Sequence, residues 1–133
     1  MSAVTLPTSR IAVLLLSAAL GGCAMAPQGG LSEVMERPAE RALLAGLRAY
    51  DDAQYADAER ELIKALTTGL VSVKDRANAH KHLAFVYCTS QRLAPCEAAF
   101  RSARAADPEF ALSRAESGHP FWGPVYKRVA SAP

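Results

Sequence analysis

"ALLAGLRAYDDAQYADAERELIKAL", Ala42 to Leu66, and "HKHLAFVYCTSQRLAPCEAAFRSAR", His80 to Arg104, are one pattern written twice. Set one above the other, every position lies 38 residues from its counterpart without a gap. Gly46 falls on Ala84, Tyr50 on Cys88, Tyr55 on Leu93, Ala58 on Cys96, Leu62 on Phe100 and Ala65 on Ala103. A constant offset held over two helix lengths predicts stacked helical hairpins, each a unit that cannot bury its apolar side alone. The expected fold is therefore all-α, with two antiparallel hairpins and a short C-terminal helix as a cap.

The arrangement inside each copy resembles the tetratricopeptide repeat. A small residue on the first helix (Gly46, Ala84), an aromatic further on (Tyr50, Tyr87) and a small residue on the second helix (Ala58, Cys96) let two backbones approach closely, and the larger Leu62 and Phe100 fill the layer behind. "ADP", ending in Pro108, closes the second copy as the family's closing proline does. The first copy has Leu70 there instead, and around "TTGLVSV" it carries about four residues beyond the usual spacing of such repeats, a departure that bears on the angle between the hairpins.

The repeat also places two cysteines. Cys88 takes the place of Tyr50 near the end of a first helix, and Cys96 takes that of Ala58 near the start of a second. A disulfide could span the gap where the first copy rests a tyrosine ring near an alanine methyl. Alternatively, Cys96 merely meets a demand for a small buried side chain. The tight spacing of a redox-active pair is absent from this stretch.

Working outward towards the N-terminus, Pro38 suits the first position of a helix. Before it, residues 23–37 are Pro/Gly-rich and then polar, the composition of a tether. Further back, Arg10 precedes the apolar run Ile11 to Leu20, which is too short to span a bilayer and matches a secretory signal. "LGGC", Leu20 to Cys23, resembles the lipobox of bacterial lipoproteins. That resemblance implies acylation of Cys23, removal of residues 1–22 and anchoring to a membrane by two or three acyl chains, since one alone holds only marginally. Ala24, where an aspartate would favour inner-membrane retention, implies the periplasmic face of the outer membrane. In that oxidising compartment a disulfide persists.

The chain has 133 residues, 15 basic and 13 acidic, and a formal charge of +2 that falls to +1 once residues 1–22 are removed. So even a mixture lacks the basic face that neutralises phosphates, which argues against nucleic acid as a partner.

After Pro108 the tail reads "EFALSRAESGHPFWGPVYKRVASAP" and holds the only tryptophan, Trp122. Phe121, Trp122 and "VYKRV" predict an apolar anchor leading into a last short helix, which either caps the stack or offers Trp122 to a partner. Taken together, the lipobox, the degenerate hairpins, the cysteine pair and "AESGHPFWGPVY" resemble the small TssQ-like lipoproteins associated with type VI secretion. That resemblance implies an envelope lipoprotein accompanying a contractile injection machine, with no catalytic residues to carry over.

No motif for enzyme chemistry emerges. His80 and His82 lie two apart, so on a helix they point about 200° from each other and cannot share a metal ion. His119, before Pro120, has no matched base or nucleophile, and Asp51 and Asp52 sit where a helix ends. No phosphate cradle, serine elbow or zinc spacing is present, so neither cofactor nor metal is expected. Recognition remains. Tetratricopeptide arrays bind along the concave side lined by first helices, which here would present Leu47, Tyr50, Asn78, Lys81 and Phe85, unless the tail folds back over that strip. The expected role is a membrane-anchored adaptor for a protein partner. Rival readings are an assembly factor for a pilus or secretin, a regulator of cell-wall enzymes, and a thiol oxidoreductase using Cys88 and Cys96. Two hairpins fall below the usual minimum of three repeats, so a homodimer continuing the stack is a further expectation.

Overall fold

The computed structural model of the protein describes residues 37–132. The signal-like run, Cys23 and nearly all of the tether lie outside the described residues. Within them the chain forms six helices: α1 (Pro38–Asp51), α2 (Tyr55–Thr68), α3 (Val73–Thr89), α4 (Leu93–Ala106), α5 (Arg114–Ser117) and α6 (Gly123–Ser131). Helices α1 and α2 pack as one antiparallel hairpin and α3 and α4 as another, with α2 against α3 joining them and α6 against α4 closing the far end.

The 38-residue offset persists down to single hydrogen bonds. Helix α1 ends at Asp51 and α3 at Thr89, and the next helices begin at Tyr55 and Leu93. Between them, Ala53 and Gln91 both take the left-handed conformation, at φ 57° and 59°. The Gln54 N–H donates to the Ala49 carbonyl and the Arg92 N–H to the Tyr87 carbonyl, each at 2.8 Å. A left-handed residue turns the chain back while satisfying carbonyls that a helix end leaves without partners.

Local signals set the other boundaries. Pro38 opens α1 with Glu40 in its first turn, where a carboxylate suits the helix dipole. Gly69, at φ 104°, ends α2 in the left-handed region that glycine enters without a Cβ penalty. Ser72 caps α3 by accepting the Asp75 N–H at 3.2 Å. Asp107 is extended before Pro108, which stops α4. Ser113 and Glu116 form a reciprocal capping box around α5.

The core follows the repeat. Ala58, Leu62 and Ala65 in the first hairpin, and Cys96, Phe100 and Ala103 in the second, are fully shielded from solvent. Gly46 is small for a reason of contact: a Cβ there would meet Leu62 Cγ at 2.7 Å and the Leu62 backbone nitrogen at 3.1 Å. Its counterpart Ala84 is buried in the hairpin that carries Phe100. Cys88 and Cys96 are joined by a disulfide, Sγ to Sγ 2.03 Å, with their Cα atoms 5.3 Å apart. The bridge ties the end of α3 to the start of α4 and is buried on both sides.

Candidate functional site

The strip expected along α1 and α3 exists, but the tail lies across its centre. Phe85 is only 3% exposed, because Trp122 stacks on it at 4.2 Å between ring centroids, and His119 stacks on Trp122 in turn at 3.4 Å. Trp122 is itself 8% exposed. Phe85, expected as an exposed contact residue, and Trp122, read either as part of a cap or as an anchor for a partner, therefore spend their surfaces on each other and on the rings around them. The physical reason is that ring stacking buries the two largest apolar surfaces of the strip and tail together, while the indole N–H donates to the Glu116 carbonyl at 2.9 Å.

Polar contacts fix the closure. Lys81 donates to Glu116 Oε1 at 2.7 Å, and Glu116 Oε2 accepts the Ser113 N–H at 2.9 Å. Both partners of that ion pair are partly shielded, so it is worth more than a solvated pair. Leu47, Tyr50, Asn78 and Lys81 keep part of their surfaces exposed. The Tyr50 ring packs against His82 at 5.1 Å and Tyr55 at 5.8 Å, while the Asn78 carbonyl meets His82 Nδ1 at 2.9 Å.

Ionisation in this cluster is governed by burial. Burial lowers the His82 pKa below the usual histidine value, outweighing the hydrogen bond to the Asn78 carbonyl, and lowers that of His80 in the same way. The Tyr50 phenol is pushed up to about 12 by burial first and then by the nearby Tyr55, Asp51 and Glu116. For Glu116 burial acts upward, yet the hydrogen bonds from Lys81 and Ser113 together hold its carboxyl below the usual range.

The opposite side of the stack carries an open apolar groove. Helices α2 and α4 form its walls and α3 its floor, enclosing about 350 Å³ lined chiefly by Ile63, Leu66, Leu83, Tyr87, Pro95 and Ala99, with His80, Thr67 and Ser102 at its polar points. Arg92 stands at one end, its guanidinium 4.5 Å from the Tyr87 ring and 2.8 Å from Glu59 across the hairpins. The sequence held a usable signal for this groove. Ile63 and Leu66, three apart, form a second apolar stripe on α2 beyond Ala58, Leu62 and Ala65, which the hairpin contact already uses. Aligning on the repeat core hid that stripe, since Arg101 and Arg104 stand opposite it in the second copy.

Among the described residues no cluster of His, Cys, Asp and Glu could hold a metal ion, and no helix is long and apolar enough to cross a membrane. His80 borders the α2–α4 groove while His82 packs against Tyr50 on the other side, as their spacing of two requires. No family model, curated protein or solved structure matches this chain.

Proposed function

We propose that this chain is a membrane-anchored envelope adaptor: a lipoprotein acylated at Cys23 whose helical domain binds a protein partner, as an accessory of type VI secretion. The observation that carries the binding part is the groove between α2 and α4. It is apolar, it is open, and it takes the complementary form of a helix ridge laid between two helices. Ile63 and Leu93 keep large apolar surfaces exposed on this hairpin pair. The occupant it suits is an amphipathic helix of the partner.

A partner of different sequence is favoured over a second copy continuing the stack. Helix α6 spends Val125 and Val129 inward and turns Pro124, Lys127 and Arg128 to solvent, and Phe121, 56% exposed just before it, is a single large apolar side chain, less than a further hairpin would need to bury. The secretion context rests on the motif resemblance of the lipobox, cysteine pair and tail. A thiol oxidoreductase is disfavoured, because Cys88 and Cys96 lie bridged and buried where an attacking thiolate has no access.

A photoreactive residue in place of Ile63, in the full-length chain in intact cells, tests the reading against the same residue at Lys127. Crosslinking to one secretion-apparatus component from position 63, absent from position 127 and abolished by Ala99→Asp, is the expected result. Crosslinks confined to pilus, secretin or cell-wall proteins would move the protein to another machine, and none at either position would remove the groove from the account.

A further inference from the structure

The segment between the hairpins, with its extra residues, is built to show apolar side chains rather than to hide them. Gly69 turns the chain, Leu70 drops into the core at 4% exposure, and Val71 and Val73 then face outward at 73% and 46%. Val71 is the most exposed of the large apolar residues described. The turn is held in shape, because Arg76 donates from one nitrogen to the carbonyls of both Leu70 and Val71 at 2.9 Å while Ser72 caps α3. A fixed backbone presenting two valines loses little ordering entropy when they are buried by something else.

Its location identifies that something. Pro38 and Ala42 share a cleft with Glu61 and Lys64, so the start of α1 lies at the same end of the stack as the end of α2. The Val71–Val73 turn follows α2 at that end, with the exposed Lys74 next to Val73 and the exposed Lys64, ion-paired to Glu61 at 3.7 Å, near the end of α2. The tether from Cys23 enters here too. Its fifteen residues could stretch to about 50 Å, so covalent reach alone imposes no orientation. The exposed valines with the adjoining Lys74 supply one, since such a combination gains by entering the boundary between headgroups and acyl chains.

We infer that the Val71–Val73 turn is a membrane contact that seats this end of the stack on the lipid surface, an inference that rests on the acylation of Cys23 proposed above. The helices then stand away from the bilayer, and the α2–α4 groove opens sideways, level with a partner lying along the membrane.

The test uses the mature acylated chain carrying Val71→Cys, or separately Val73→Cys, labelled with an environment-sensitive fluorophore. Asp52→Cys, at the opposite end, is the control. With Cys88 and Cys96 bridged and Cys23 acylated, the new thiol is the one that reacts. Each protein is mixed with vesicles of phosphatidylethanolamine and phosphatidylglycerol, with and without a quencher on the acyl chain. Emission from positions 71 and 73 shifts to the blue and is quenched, while that from position 52 does neither. A chain that floats with the vesicles but shows position 71 as water-exposed as position 52 overturns this inference alone. A chain that stays in solution overturns the anchoring and this inference together.

Discussion

Replacing Gly46 by alanine sets two known effects against each other, and the structure decides between them. In an open helix the change stabilises by about 0.8–1 kcal/mol, since glycine costs that much relative to alanine in a helix interior. Here the new methyl would lie 2.7 Å from Leu62 Cγ and 3.1 Å from the Leu62 backbone nitrogen. Leu62 is fully buried, and the clash falls at its branch point and backbone rather than at a mobile tip, so the two helices must separate. Overpacking of that kind costs about 1–3 kcal/mol, leaving a net destabilisation of about 1 kcal/mol. For a domain of this size that lowers Tm by about 4–8 °C. In a Leu62→Ala background, itself destabilised by about 2–5 kcal/mol, the 2.7 Å contact with Cγ disappears and only the 3.1 Å approach to the backbone nitrogen remains, which yields by a small shift, so Gly46→Ala becomes stabilising by up to about 1 kcal/mol. Thermal and urea unfolding of the four proteins in the cycle measures a coupling of up to about 2 kcal/mol. A rise in Tm for Gly46→Ala alone would refute the close approach of α1 and α2 and, with it, the reason for small residues at this point of the repeat.

Trp122→Ala removes the ring that covers Phe85 and should cost about 3–5 kcal/mol, concentrated in the tail: amide exchange accelerates over residues 112–131 while the amides around Leu62 and Phe100 stay protected. Uniform acceleration through all helices would show instead that the tail is integral to the fold. Converting both Cys88 and Cys96 to alanine opens a loop of sequence separation 8 and should cost about 2.6 kcal/mol by the chain-entropy relation, or about 10–20 °C in Tm, read by calorimetry. Stability should also fall with pH in two stages. His80 and His82 have folded pKa values below their unfolded one, so the unfolded chain binds protons first and stability present above about pH 6.5 is lost as pH drops through their folded values. Glu116, whose folded pKa is likewise depressed, adds a second loss below about pH 4.5 as the Lys81 pair is neutralised. His80→Asn with His82→Gln should flatten the first stage in a series of melts, and Glu116→Gln the second.

What could be read in advance divides along a physical line. The hairpins were legible because Gly46, Ala58, Leu62 and Ala65 and their counterparts are constrained by contacts between helices adjacent in sequence, and such contacts repeat wherever the unit repeats. The cysteine pair was legible for the same reason, its positions being repeat positions. The fate of the expected α1–α3 strip was not, because Phe85 meets Trp122 across 37 residues through a tail that has no copy elsewhere in the chain, and periodicity carries no information about a contact made once. The groove between α2 and α4 fails to show in the alignment for the converse reason. It is a difference between the copies: Ile63 and Leu66 line the groove, whereas the aligned positions of the second copy, Arg101 and Arg104, lie outside it and bond Glu97 and the Val129 carbonyl. Scaffold is what the two units share, and the surfaces proposed for function lie where they diverge. The informative positions for this chain are therefore those at which the 38-residue alignment breaks: the Val71–Val73 turn, the second apolar stripe of α2, and the tail.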